Sequence, residues 1–293
     1  MVNKNIRYKT GSVISKDGTI IGYRIMGSGP GVILMHGGAN ASQHFMTLGN
    51  ALADNFTVFI PDRRGRGLSG PIGEDYSIKK ELEDIYAIIK KTDAHNLFAL
   101  SSGALILLEC ALKLPSLVEK AALYEPPLDI DNTIIEILSF MPRFDREISE
   151  GKLADATVTM LKDFGIYFGV PSYITGLPRF LLTNLFKLYY KYESNNVKGD
   201  DVSFSILIPS FHYDYQLVVE MKGTLENFKN VHGEVLLVGG SESPNFLKHT
   251  LDELEKVLPS VDRVEFNGLG HAGSLDSGKP KQVAVELRKF FLK

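Results

Sequence analysis

Cysteine is nearly absent. The single residue, Cys110, has no partner for an internal disulfide, and no Cys/His cluster has the spacing of a zinc site. Set in the apolar run "LILLECAL", Cys110 reads as a small buried hydrophobe rather than a reactive thiol. Long hydrophobic runs are missing too, so no bilayer-spanning segment is expected, and "MVNKNIRYKTGSVISKDG" lacks the apolar core of a signal peptide. A soluble, cytoplasmic protein is the expectation. Neither sign of charge dominates. The net charge is −3, with lysines and arginines scattered, which leaves no electrostatic footprint for nucleic acid or an anionic membrane. Internal repeats and low-complexity linkers are also lacking. With 44 % apolar and 23 % charged residues, the 293-residue chain has ordinary globular composition and enough length for a substantial core. A small, neutral or weakly polar molecule is the expected partner, and a homodimer is left open.

What is present is an alternation. "GTIIGYRIMG" reads as an opening hairpin strand, followed by a "GSGP" turn. "GVILMHGG", "FTVFIPDRRGRG", "NLFALSSG", "EKAALYEPP" and "GEVLLVGG" are short β-branched and aliphatic runs ending in turn residues, the pattern of strands buried on both faces of a parallel sheet. Helical stretches separate them: residues 43–54, 77–93, 103–114 and 245–258, with "PKQVAVELRKFFLK" closing the chain. The class is α/β, with a mainly parallel central sheet flanked by helices. The alternation breaks once. Between residues 128 and 222 the chain turns to helix-prone pieces such as "DNTIIEILSFM" and "RFLLTNLFKLYYKYE", and seven of the twelve tyrosines fall between Tyr167 and Tyr215. We read residues 1–127 and 223–293 as a core domain and 128–222 as an inserted helical cap packed upon it.

In "FALSSGALIL" one serine has the layout small-x-Ser-x-Gly, formed by Ala99, Ser101 and Gly103. A sharp strand-to-helix turn needs small residues on both sides, because the backbone packs closely there. Alanine stands where glycine is usual. Such a turn lifts the Ser101 hydroxyl above the sheet edge, beside the amides and partial positive charge of a helix N-terminus. Helix capping by serine is the simpler reading of the same residues. Ser102, flanked by Leu100 and Ala104, fails the small-x-Ser-x-small frame.

Other signals follow in order: "MHGG" ends one buried strand, "PDRRGRGLS" the next, and "GLGHAG" follows the last. With these motifs in this order the chain resembles the α/β-hydrolase superfamily over essentially its whole length. "DRRGRGLSG", "LSSGALILLECAL", "ALYEPP" and the "GG" and "SP" after the next strand resemble more narrowly a group of small bacterial α/β hydrolases, mostly of unassigned substrate. The resemblance implies Ser101 as nucleophile and His271, in its glycine-flanked loop, as base. It implies the backbone amides of Gly38 and Ser102 as oxyanion-hole donors. His36 is expected to shape that loop by hydrogen bonding, and Asp62 to be internally hydrogen bonded.

The acid has two candidates. Glu242, in "VGGSESPNF", follows the strand that carries the acid in much of the superfamily; Glu125, in "ALYEPP", follows the preceding strand. The narrower group retains the "YEPP" glutamate in members whose "GG" and "SP" stretch lacks a carboxylate, which points to Glu125. Arg63, Arg64 and Arg66 suggest phosphate binding, yet their glycines are spaced for a turn and no P-loop lysine pattern accompanies them, so a structural loop is expected.

From the cap, Phe140, Phe164, Tyr167, Phe168, Tyr189, Phe211 and Tyr213 are candidates to wall an apolar pocket, two or three of them facing the site. The expected activity is that of a serine hydrolase on an ester or related acyl bond of a small, rather apolar molecule, with no cofactor and no metal. Carbon–carbon bond hydrolysis, lactone opening and cofactor-free perhydrolysis remain open within the same triad, as does a small-molecule receptor that turns over slowly.

Overall fold

A computed structural model describes residues 6–168 and 170–293. Its centre is one eight-stranded sheet in the order β1-β2-β4-β3-β5-β6-β7-β8. The strands are β1 (Lys9–Ile14), β2 (Ile20–Gly27), β3 (Gly31–Met35), β4 (Thr57–Pro61), β5 (Asn96–Leu100), β6 (Lys120–Tyr124), β7 (Glu234–Gly240) and β8 (Val261–Phe266). β1 and β2 form an antiparallel hairpin, β2 runs antiparallel to β4, and the remaining pairs are parallel.

The continuous apolar runs form central strands because both faces are covered. On β3, Val32 and Leu34 point to one core; Ile33 and Met35 point to the other. The first core packs α1 (Met46–Leu52) and, at the chain's end, a C-terminal helix; the second packs α2 (Ile78–Thr92) and α3 (Ser102–Lys113). α3 is apolar nearly all round, from Ala104 to Ala111, and is correspondingly buried. β1 differs from the expected single opening strand. Its sequence "KTGSVI" is mostly exposed at the sheet edge, so no apolar run announces it.

From Thr133 to Asn230 the described elements are all helical, lying between β6 and β7: α4 (Thr133–Ile137), α5 (Met141–Ser149), α6 (Leu153–Asp163), α7 (Ser172–Thr175), α8 (Arg179–Ser194), α9 (Phe204–Leu207) and α10 (Phe211–Met221), with 3₁₀ turns between some of them and after the last. α11 (Asn245–Val257) and the C-terminal α12 (Pro280–Leu292) complete the chain. No described helix is long and apolar enough to cross a membrane.

Candidate active site

Ser101 sits between β5 and α3 with φ 56° and ψ −127°, a left-handed conformation that costs a non-glycine residue energy and is held only by tight surroundings. Those surroundings explain the small residues. A Cβ on Gly103 would lie 2.5 Å from the carbonyl oxygen of His36, and one on Gly37 would lie 2.8 Å from Cβ of Ser101. The Ser101 amide donates to the Tyr124 carbonyl at 2.9 Å, tying the turn to the end of β6. Among the described residues the Ser101 hydroxyl has no hydrogen-bond partner, and it lines a cavity of about 520 Å³.

His271 lines the same cavity, in the loop after β8. Its Nδ1 lies 2.7 Å from Oε2 of Glu125, a residue with no solvent exposure. The other carboxylate oxygen of Glu125 accepts the Gly240 amide at 2.7 Å. Gly239 makes room for this arrangement, since a Cβ there would meet Glu125 Oε1 at 3.2 Å. The Tyr124 hydroxyl donates to the Gly270 carbonyl at 2.8 Å and anchors the histidine loop; burial, reinforced by the Glu125 charge, raises its pKa and keeps it a donor. Glu242 is exposed on the cavity wall and makes no hydrogen bond to His271 among the described residues. The structure thus joins His271 to Glu125 and leaves Glu242 apart.

Gly38 and Ser102 both border the cavity. Among the described residues neither amide donates to a protein acceptor. His36 is buried between the two motifs: its Nδ1 lies 3.0 Å from the Gly37 carbonyl, and its Nε2 accepts the Arg63 amide at 3.1 Å. Burial, with Arg66 and Arg63 nearby, holds its pKa well below the usual histidine range, so the neutral ring serves as a brace. Asp62 accepts the amides of Ser42 and Leu68, as its expected internal role requires.

The three arginines of the "DRRGR" turn are buried and committed to carboxylates. Arg64 takes Asp84 and Asp17; Arg63 takes Glu81 and Asp214; Arg66 takes Asp214. Asp214, on α10, was not foreseen from the sequence. It accepts from Arg63 Nη1 at 2.7 Å, from Arg66 Nη2 at 2.8 Å and from the Ser102 hydroxyl at 2.8 Å, and it borders the cavity. Burial alone would raise its pKa; Arg66 and Arg63 outweigh that penalty and lower it to about 2. The signal that points to it is indirect. Three arginines on a turn packed under the sheet's edge require buried carboxylates from somewhere.

Of the seven aromatics proposed for the pocket wall, Phe164, Tyr167, Phe168 and Phe211 line it, more than the two or three expected, and Tyr215 and Phe246 join them. Phe140 stacks behind Phe211, Tyr213 packs on Tyr76, and Tyr189 is exposed on α8. The Phe168 ring lies 5.1 Å from the His271 ring.

A parallel sheet with a serine on a strained turn after β5 and a carboxylate-bound histidine after the last strand defines the class. A family model described as alpha/beta hydrolase fold matches residues 30–277, and the chain belongs to that family. It is 33 % identical over 115 residues to YraK, an uncharacterized hydrolase of Bacillus subtilis, a stretch covering 38 % of this chain and less than half, 42 %, of that protein. It is 24 % identical over 268 residues to the cis-3-alkyl-4-alkyloxetan-2-one decarboxylase of Shewanella oneidensis, covering 88 % of this chain and 81 % of the relative. Among solved structures, an alpha/beta hydrolase from Sphaerobacter thermophilus superposes with a TM-score of 0.73 at 27 % identity, over 96 % of this chain and 100 % of that one. An enol-lactonase from Burkholderia xenovorans shares the fold, with a TM-score of 0.66 at 16 % identity over 97 % of this chain and 100 % of that one.

Proposed function

We propose that the protein is a serine hydrolase that cleaves an ester or related acyl bond of a small, rather apolar molecule. The observation that carries the reading is the His271–Glu125 hydrogen bond, 2.7 Å long and buried on the Glu125 side, in the wall of the cavity that Ser101 also lines. The Glu125 carboxylate accepts from Nδ1 and fixes the proton there, which leaves Nε2 as the acceptor. His271 Nε2 takes the Ser101 proton as the hydroxyl oxygen attacks the acyl carbon. The amides of Gly38 and Ser102 receive the oxyanion. His271 then returns the proton to the leaving group, an acyl-enzyme forms, and water activated by the same histidine releases the acid.

Residues 128–222 act in this reading as a cap over the nucleophile, and the aromatic wall sets the preference for apolar groups. Lactones fall within the substrate class, since the relative matched over most of this chain is named for an oxetan-2-one. The direct test is covalent labelling with a fluorophosphonate probe, read by intact mass and peptide mapping. One adduct on Ser101, absent from Ser101→Ala, is expected. A folded protein that takes up no adduct, or a Ser101→Ala variant that labels like the wild type, overturns the reading.

A further inference from the structure

Helix α8 carries apolar residues on two sides. Leu182 and Thr183 are buried on its inner face. On the opposite side Leu181, Leu185, Leu188 and Tyr192 recur at i, i+4, i+7 and i+11 and are 47, 59, 68 and 68 % exposed; Phe180 at 64 % and Tyr173 of α7 at 75 % extend the patch. A surface helix presents polar residues outward, and a helix apolar on both sides is one with both sides covered.

The spacing identifies the cover. A stripe at i, i+4, i+7 and i+11 is the narrow seam by which two helices interlock. It is symmetric about a point between Leu185 and Leu188, so a second copy laid antiparallel sets Leu185 against Leu188 of the other chain, and Leu181 against its Tyr192. Each contact then occurs twice about a two-fold axis, the geometry of a closed dimer. With on the order of 200 Å² for a large side chain, the six exposed fractions amount to roughly 750 Å² per chain, close to the ~800 Å² each partner gives a standard interface. Lys187 and Lys191 flank the stripe, where an interface rim stays hydrated. A lipid surface fits less well. Residues 128–222 hold nine lysines and arginines against thirteen aspartates and glutamates, a balance that anionic headgroups repel. We propose that two copies of this chain associate through α8, antiparallel about an axis between Leu185 and Leu188.

Sedimentation velocity of the full chain at about 50 μM, a concentration that populates micromolar complexes, should give twice the 32.5 kDa of one chain. The double variant Leu185→Glu/Leu188→Glu should sediment as a monomer at the same concentration, with Ser101 labelling and the far-ultraviolet circular dichroism spectrum unchanged and the thermal midpoint lowered only by the loss of association. A second double variant, Leu185→Cys/Leu188→Cys, keeps the patch apolar. Under mild oxidation it should form an interchain disulfide, because opposed positions in such a seam meet disulfide geometry and the native Cys110 is buried. A wild-type monomer at this concentration overturns the proposal. So does a dimer that survives both glutamates, or a cysteine variant that never cross-links. Flotation of a monomeric wild type with phosphatidylglycerol vesicles, but not with phosphatidylcholine, would transfer the face to lipid.

Discussion

Replacing Glu125 with glutamine changes one atom and reverses one hydrogen bond. In the native site Oε1 accepts the Gly240 amide and Oε2 accepts from His271 Nδ1, both at 2.7 Å. The buried glutamine must keep its oxygen toward Gly240, since an amide facing an amide there would leave two donors opposed. Its NH₂ group then faces Nδ1 and donates, which forces the proton of a neutral imidazole onto Nε2. A ring protonated at Nε2 has no lone pair for the Ser101 proton. The same tautomer reversal in a serine protease lowers turnover about 10⁴-fold, equivalent to about 5.5 kcal/mol of barrier. We expect a loss of that size in the rate of fluorophosphonate labelling at Ser101, followed by intact mass, with the far-ultraviolet circular dichroism spectrum unchanged because both oxygen-side and nitrogen-side contacts persist. Glu242→Gln, at an exposed position without contact to His271, should label within about twofold of wild type, as surface substitutions do. Labelling of Glu125→Gln within tenfold of wild type would refute the reasoning, and a large loss in Glu242→Gln would move the acid to the other strand.

Other consequences can be checked by similar means. Asp214→Asn removes the charge that two buried guanidiniums share and should lower unfolding stability in urea by about 3–5 kcal/mol; a change under 1 kcal/mol would show the network to be dispensable. Because the Asp214 pKa is lowered from 3.8 to about 2 in the folded chain, the stabilisation from that shift is present above pH 4 and lost as the pH falls toward 2. The stability gap between wild type and Asp214→Asn should therefore narrow by about 2 kcal/mol across that window, and a gap independent of pH would contradict the assignment. Gly103→Ala places a Cβ 2.5 Å from a backbone carbonyl and should abolish Ser101 labelling or cost about 1–3 kcal/mol of stability through forced backbone shifts; a stable, fully labelling variant would show the turn to be looser than described. Phe211→Ala opens the cavity wall and should shift preference among p-nitrophenyl esters toward longer acyl chains by about 10-fold, the worth of one or two methylenes in an apolar pocket; an unchanged chain-length profile would place the acyl group elsewhere.

Much of the fold was legible because its signals are local. β3 to β7 announce themselves as apolar runs since both sheet faces are covered, and Ser101 is marked by Gly103, two residues on, which must be small because the His36 backbone packs against it. His271 follows from chain order. The exposed edge strand β1 buries too little to leave a pattern. The acid lay beyond periodicity altogether: Glu125 and Glu242 both follow sheet strands, and only the packing of β6 between β5 and β7 decides which reaches the histidine. Asp214 lay further beyond, 112 residues from the Ser102 hydroxyl it accepts, in the unremarkable stretch "FHYDYQ". α8 was readable as a helix, but apolar residues on two faces say nothing of which face the rest of the chain covers.

The sharing of Asp214 between Arg63, Arg66 and Ser102 bears on how this architecture can be recombined. A helical segment inserted between two strands invites exchange for another of different shape, as a means of changing what the cavity admits. Here such a graft would strip Arg66 of its counter-charge, leave Arg63 with Glu81 alone and release the hydroxyl beside the serine turn. Any foreign segment must bring an aspartate at the matching point of its last helix, or arrive together with a host turn whose arginines have been replaced. In heredity and in engineering alike, the "DRRGR" turn and α10 form one unit of exchange, although more than a hundred residues of sequence lie between them.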